Sequence, residues 1–208
     1  MSPRANPFVK AEPASVEATH EEAVLHDALL GQRLMESGPS DPQSLPITPS
    51  DVESDPWPKV QISRDSVTPI TVMGLHGGAG TSTMATLLGA GALDHGRTWP
   101  VPPEGASLGV VAVCRSHWRG LEAADVFTMQ WAAGLLTEST LLGLVIVDDG
   151  PTLSDGQRKA MRRLLKRTPR GIHLPWVEAW RHASPDAGRT PGRITRIVRQ
   201  LHSAAASL

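Results

Sequence analysis

The sequence predicts an α/β fold in three layers, with a short, mainly parallel sheet between flanking helices. Three observations predict it. The runs Ile70–Met73, Leu108–Cys114 and Leu141–Val147 are largely apolar and rich in valine, leucine and isoleucine, the pattern of strands buried on both faces. Helix-period segments separate the runs, and strands that alternate with helices pair in parallel. A glycine-rich turn, Gly74–Thr83, joins the first run to a helix. That is the order in which backbone amides converge on an anion.

Taken in order, residues 1–68 read as a mostly disordered acidic arm, with nine of the 18 prolines and 11 acidic against 5 basic side chains. Within it, Thr19 and Glu22 have capping-box spacing ahead of Val24, Leu25, Ala28, Leu29 and Leu34, which predicts a helix over 20–36. Pro39 to Pro58 is expected to be a linker from which Trp57 can pack on the domain. The ordered domain is expected over 69–182, beginning with a strand over 70–75 and a helix over 81–91. Thr98–Gly105, with three prolines, predicts a loop, and no apolar strand is visible between the first helix and Leu108. After the second run, Ser116 is expected to cap a helix over 117–135 whose inward stripe is Trp118, Leu121, Ala124, Thr128 and Trp131. Ser154 and Gln157 form a capping box for a helix over 155–167, with Met161, Leu164 and Leu165 inward. A fourth strand is expected at Gly171–Pro175 and a short helix or turn at Trp176–His182. Residues 183–208 are expected to be a linker and a basic amphipathic helix with Ile194, Ile197, Val198 and Leu201 as its apolar stripe.

Charge is uneven although the net value is −1. Residues 151–208 hold 12 basic and 3 acidic side chains. Arg158, Lys159, Arg162, Arg163, Lys166 and Arg167 lie along one predicted helix, and Arg193, Arg196 and Arg199 along the last. They offer DNA or an anionic membrane a basic face, or pair with the acidic arm. The single Cys114 sits in an apolar run and excludes an intramolecular disulfide. No run approaches the roughly 20 apolar residues of a membrane-spanning helix, so a cytoplasmic protein is expected. The histidines show no metal-ligand spacing, and Trp176 and Trp180, four apart, are expected to cover the core.

The motif that carries chemistry is His76-Gly77-Gly78-Ala79-Gly80-Thr81-Ser82-Thr83. In a phosphate-binding loop the glycines free the backbone to cradle phosphate, a lysine reaches the β- and γ-phosphates, and a Ser or Thr binds Mg2+. Here Ser82 stands at the Mg2+ position and Thr81 at the lysine position, and no lysine occurs between Lys59 and Lys159. Losing that charge costs transition-state stabilisation on the order of 10²–10³ in rate, so binding of ATP or ADP with Mg2+ is expected to outlast hydrolysis. The alternative is a tight strand–helix turn kept for packing, with no cofactor. Asp148 and Asp149 end the third run. They are open to three readings: a metal-linked pair, a base or ribose contact, or solvated strand-end carboxylates.

The loop resembles the deviant Walker A motif of the ParA/MinD family, K-G-G-x-G-K-[ST]-T, with His76 and Thr81 in place of both lysines. Gly109–Ala124, Leu142–Asp148 and Ile172–Ala179 resemble later segments of that family. The His-Gly-Gly-Ala-Gly loop and Pro175–Arg181 are also similar to actinobacterial ParA-like proteins with lysine-less loops. The resemblance implies a degenerate P-loop domain, non-hydrolysing, that acts as a regulatory module through an unknown protein partner or a homodimer. By order along the chain it places Asp148 where the family has its base-contacting asparagine, and implies that the Mg2+ and switch segments before Leu108 are deleted. Two other readings accompany it. One is a slow ATPase completed by an arginine of another subunit, with Arg115, Arg119 and Arg181 as candidates. The other is a DNA- or membrane-associated adaptor using the basic C-terminal helices.

Overall fold

Three strands with almost no polar interruption form the centre of the molecule: β3 (Ile70–Gly74), β6 (Gly109–Arg115) and β7 (Thr140–Val147). The computed structural model describes residues 35–42, 47–52, 55–185 and 190–208. β3 pairs with β6 in parallel, from Ile70 opposite Gly109 to Gly74 opposite Val113. β6 pairs in parallel with β7, ending with Arg115 opposite Val147. β8 (Gly171–Leu174) continues the parallel order beside β7, and β4 (Ala92–Asp94) forms the other edge beside β3. β1 (Met35–Glu36) closes the β8 edge in antiparallel register, so the sheet runs β1-β8-β7-β6-β3-β4.

Side chains leave successive strand positions on opposite faces, and each face buries a different set. On one face Met73, Val110, Ala112, Cys114, Leu144 and Ile146 pack under α2 (Trp118–Ala132) and α3 (Asp155–Leu165). On the other, Ile70, Val72, Val111, Val113, Val145 and Ile172 pack under α1 (Thr81–Leu88) and α4 (Gly192–Ala205). The protein is a three-layer α/β fold with a mainly parallel sheet flanked by helices. Among the described residues no helix is long and apolar enough to cross a membrane.

The chain before Pro69 departs from the expected arm. Of the helix predicted over 20–36, residues 20–34 lie outside the described residues, and Met35–Glu36 is a strand instead. Trp57 does pack on the domain as expected, edge-on to Phe127 at 5.6 Å. Its N–H donates to Gln130 Oε1 at 2.8 Å, and its indole N–H donates to the Arg97 carbonyl at 3.1 Å. β2 (Lys59–Gln61) pairs in parallel with β5 (Trp99–Val101) as a second small sheet, and Ile62 is buried. These partners are 40 to 73 residues away in sequence, so no local pattern reports them. The proline-rich stretch predicted as a loop thus supplies β5, and Trp99 within it is fully buried.

Local signals elsewhere shift by a residue or a face. The first helix stops at Leu88, ahead of Gly89 with φ 74°. Ser116 does not cap α2. His117 does, its Nδ1 accepting from Gly120 N at 3.0 Å. Trp118, placed in the inward stripe, is 63% exposed. The Ser154–Gln157 box forms both of its hydrogen bonds, and Met161, Leu164 and Leu165 are buried.

If the segment ahead of Pro69 is part of the fold, Trp57→Ala lowers stability by about 1–3 kcal/mol, since it removes the aromatic contact with Phe127 and the indole hydrogen bond to Arg97. A urea unfolding curve measures this. A midpoint unchanged from wild type would make the segment a spectator.

Candidate functional site

All the parallel strands point their carboxyl ends at one edge of the sheet. From β3 the chain goes to β4 on one side, and from neighbouring β6 it goes to β7 on the other, so connections diverge between β3 and β6, which is where α/β sheets open a crevice. A cleft of about 330 Å³ opens on this edge, over the ends of β6, β7 and β8. Gly80 and Thr83 of the glycine loop form one wall, Arg115, Val147 and Asp148 the floor, and Pro175–Val177 with Trp180 and Arg181 the far wall.

The glycine loop is pinned at its apolar positions and open between them. Leu75 and Ala79 are buried, whereas Gly77 and Gly78 are exposed. Gly78 at φ 73° and Gly80 at φ 101° occupy the left-handed region that glycine enters without steric cost. In α1 the N–H of Met84 bonds to the Gly80 carbonyl, while those of Thr81, Ser82 and Thr83 meet no acceptor among the described residues. Unpaired N–H groups and the helix dipole together favour an anion. Thr81, at the lysine position, is half-buried, its methyl on Gly74, where a Cβ would lie 2.9 Å from Cγ2, and its hydroxyl on Asp94.

Ser82 Oγ donates to Asp94 Oδ2 at 2.7 Å, and Gly96 N donates to Oδ1 at 3.0 Å. Burial pushes the Asp94 carboxyl up, but the hydrogen bonds from Ser82, Gly96 and Thr81, with His95 nearby, outweigh it and hold the group below its usual range. The interval between the first helix and Leu108 therefore does contain a strand ending in aspartate. Sequence reasoning missed it because Ala92–Asp94 is three residues long, half-exposed and at the sheet edge. The Asp94-Gly96 spacing was its one visible signal.

His76 is an internal brace. Its Nε2 accepts from the Arg115 backbone N–H at 3.0 Å, which leaves the proton on Nδ1 to donate to the Gly77 carbonyl at 2.9 Å. Its ring lies 4.8 Å from that of His117. Gly120 permits this packing, because a Cβ there would fall 2.1 Å from the Arg115 carbonyl and 3.0 Å from His76 Nε2. The Arg115 side chain turns back over the loop, Nε donating to the Gly78 carbonyl at 3.1 Å.

Asp148 and Asp149 separate. Asp148 is buried, with His173 Nε2 at 2.8 Å from Oδ1 and Trp176 N donating to Oδ2 at 3.2 Å. Both its oxygens hold the Leu174–Trp176 turn, so it is neither a solvated strand-end group nor one half of an aspartate pair. Asp149 is exposed, its N–H on Ser116 Oγ at 2.9 Å and its carboxylate 3.7 Å from Arg115 NH1. Among the described residues no three His, Cys, Asp or Glu side chains gather as a metal cluster. Trp180 packs against the core as expected, and both Trp176 and Trp180 line the cleft, with the Arg181 guanidinium 5.8 Å from the Trp176 ring centroid. Arg115 and Arg181 reach the cleft from within the same chain. Arg119 lies outside it, beside Trp118 on the α2 surface. The basic helices α3 and α4 belong to opposite layers of the fold, so their arginines do not share a face. Arg158 bonds Asp155 at 2.6 Å within α3, and Arg167, just past its end, bonds Asp125 of α2 at 2.7 Å. Cys114 is fully buried and its thiol is pushed far up by that burial, so it is not a nucleophile.

Two measurements follow from this geometry. Burial holds the His76 pKa below 6.5, the Gly77 carbonyl opposes the shift, and the charges of His117, Arg115 and Arg97 add to it. The unfolded chain therefore takes up the proton first as pH falls. Stability from His76 is complete above about pH 6.5 and declines below it until the folded pKa is passed. His95 is lowered by burial in the same direction, so His76→Gln flattens part of the slope of unfolding midpoint against pH between about 8 and 5. An unchanged slope would remove His76 from the account. Asp148→Asn puts an amide N–H against one of two donors and costs about 1–3 kcal/mol in chemical denaturation. A loss within about 0.5 kcal/mol would mean that the carboxylate is dispensable.

No curated protein and no solved structure matches the chain. A family model does match, over residues 68–201, from the start of β3 through most of α4. Its span includes the glycine loop, Asp94, Arg115, Asp148 and the Trp176–Arg181 wall, and leaves out the β1–β2 segment that wraps the domain. By that match the chain belongs to DUF6668, a family of unknown function.

Proposed function

We propose that the protein is a non-hydrolysing, ParA/MinD-like module that binds a phosphate-bearing ligand weakly at the glycine loop and acts through a protein partner. One observation carries this reading. The cleft sets the unpaired N–H groups at the start of α1 beside two arginines, while the residue at the lysine position packs its methyl against Gly74. Such a site attracts anionic oxygen but has lost the cation that follows charge onto the γ-phosphate. Trp118 supports the partner half of the proposal: a largely exposed tryptophan next to His117, which braces the loop through His76, is a residue type over-represented in binding hot spots.

Mg2+ is implied by the resemblance, and the residues present fit it. Ser82 and Asp94, hydroxyl and carboxylate already in contact beside the loop, are the two side chains that a phosphate-bound Mg2+ uses, the rest of its shell being phosphate oxygen and water. The ion, when bound, would offset phosphate charge. Ser82 and Asp94 would hold it, and the loop amides would hold the anion beside it.

The test is a titration of the full chain with ATP, ADP and inorganic tripolyphosphate, with and without Mg2+, read by the fluorescence of Trp176 and Trp180. Binding in the micromolar to millimolar range without release of inorganic phosphate is expected. Thr81→Lys is expected to tighten ATP binding about tenfold or more, the worth of one charge-assisted hydrogen bond. Silence toward all three ligands at millimolar concentration would leave the loop a structural turn, and steady phosphate release by the wild type would make the protein an ATPase.

A further inference from the structure

We infer that Arg115 replaces the missing loop lysine as the phosphate-facing cation, and that Asp149 is the counter-ion it must leave in order to do so. This rests on the phosphate-binding reading of the cleft.

The placement comes from the sheet. Arg115 is the last residue of β6, the strand beside β3, and Leu75 N bonds to the Val113 carbonyl to carry that pairing into the loop. Arg115 therefore emerges one strand spacing from the glycines. Two bonds hold it there: its backbone N–H on His76 Nε2 and its Nε on the Gly78 carbonyl. It lines the cleft with Gly80 and Thr83. Among the described residues it is the cation bonded to the glycine loop. Arg181 reaches the cleft from the far wall and pairs with Glu178 at 3.4 Å, and Lys59 pairs with Glu138.

The chemistry follows from the guanidinium. Its fork carries five N–H donors, of which the Gly78 carbonyl takes one at Nε. The two terminal nitrogens remain. NH1 lies 3.7 Å from Asp149 Oδ1, beyond hydrogen-bond length, and both side chains are partly exposed, at 34% and 44%. An ion pair of that kind is weak and is readily exchanged for a better acceptor. A phosphate offers two oxygens to the planar fork, a geometry that a lysine ammonium does not match. The ligand class is thus a di- or triphosphate, held by loop amides on one side and by Arg115 on the other. The Asp149 main chain is anchored, its N–H on Ser116 Oγ, while its carboxylate stays beside Arg115. That carboxylate sets the affinity by competing for the same charge.

The experiment is the tripolyphosphate and ATP titration repeated on Arg115→Ala, Arg115→Gln and Asp149→Asn. Arg115→Ala weakens both ligands about ten- to a hundredfold. Arg115→Gln keeps a donor for the Gly78 carbonyl without the charge, and weakens them comparably, with a shallower dependence of affinity on salt. Asp149→Asn tightens binding about two- to fivefold. Adding Thr81→Lys to Arg115→Ala restores binding, which separates a lost charge from a collapsed loop. If wild type binds and Arg115→Gln binds equally well, the phosphate reading stands and the role of Arg115 falls. If wild type binds neither ligand, both fall.

Discussion

Everything at the cleft depends on the parallel register of three strands. Gly74 lies opposite Val113, and Val113 opposite Val145. That register is held by side chains buried on both faces, so a slip would move two apolar faces at once. It brings the glycine loop after β3, Arg115 at the end of β6 and Asp148 after β7 to one edge at nearly one height. The contacts between them are few and polar, and each is short because the strands leave no freedom in where it can form. His76 reaches the Arg115 amide, Asp149 reaches Ser116, and Asp148 reaches Trp176 for the same reason.

The same constraint separates what the sequence makes legible from what it hides. Strands buried on both faces announce themselves as apolar runs, so β3, β6, β7 and β8 and the helices between them are readable, with helix ends and caps shifted by a residue or a few. Capping at Ser154 is readable because both partners lie three residues apart. β4 and β5 are not. One is a three-residue edge strand that ends in Asp94, and the other has a proline at its centre, opposite Val60. Their order comes from neighbours distant in sequence, as does that of Trp57, whose partners are Gln130, Arg97 and Phe127. Propensity is weak in such segments, and tertiary packing decides.

The site divides in the same way. The glycine loop is a local motif and is visible at once, as is the absence of its lysine. The direction in which a side chain turns is not local. His76 and Thr81 occupy the two positions where the resembling family has lysine, and both make contacts within the fold: one braces β6, the other packs its methyl on Gly74. Asp148 invites a metal or base role from its place after an apolar strand, and its two oxygens each hold one partner in the turn, His173 and Trp176. Each oxygen keeps a further lone pair on the floor of the cleft.

This redistribution bears on why such a loop persists. A lysine on the loop moves with the loop, whereas Arg115 belongs to the central strand and is tied to the loop from outside. Its positive charge sits beside the Gly78 carbonyl, which can keep its bond while the terminal nitrogens change partner. On the proposed phosphate reading, the two terminal nitrogens are the part of the fork left to face a ligand while the loop stays tied to β6. His76 also ties the loop to β6 and lies against His117, which caps α2 beside the exposed Trp118.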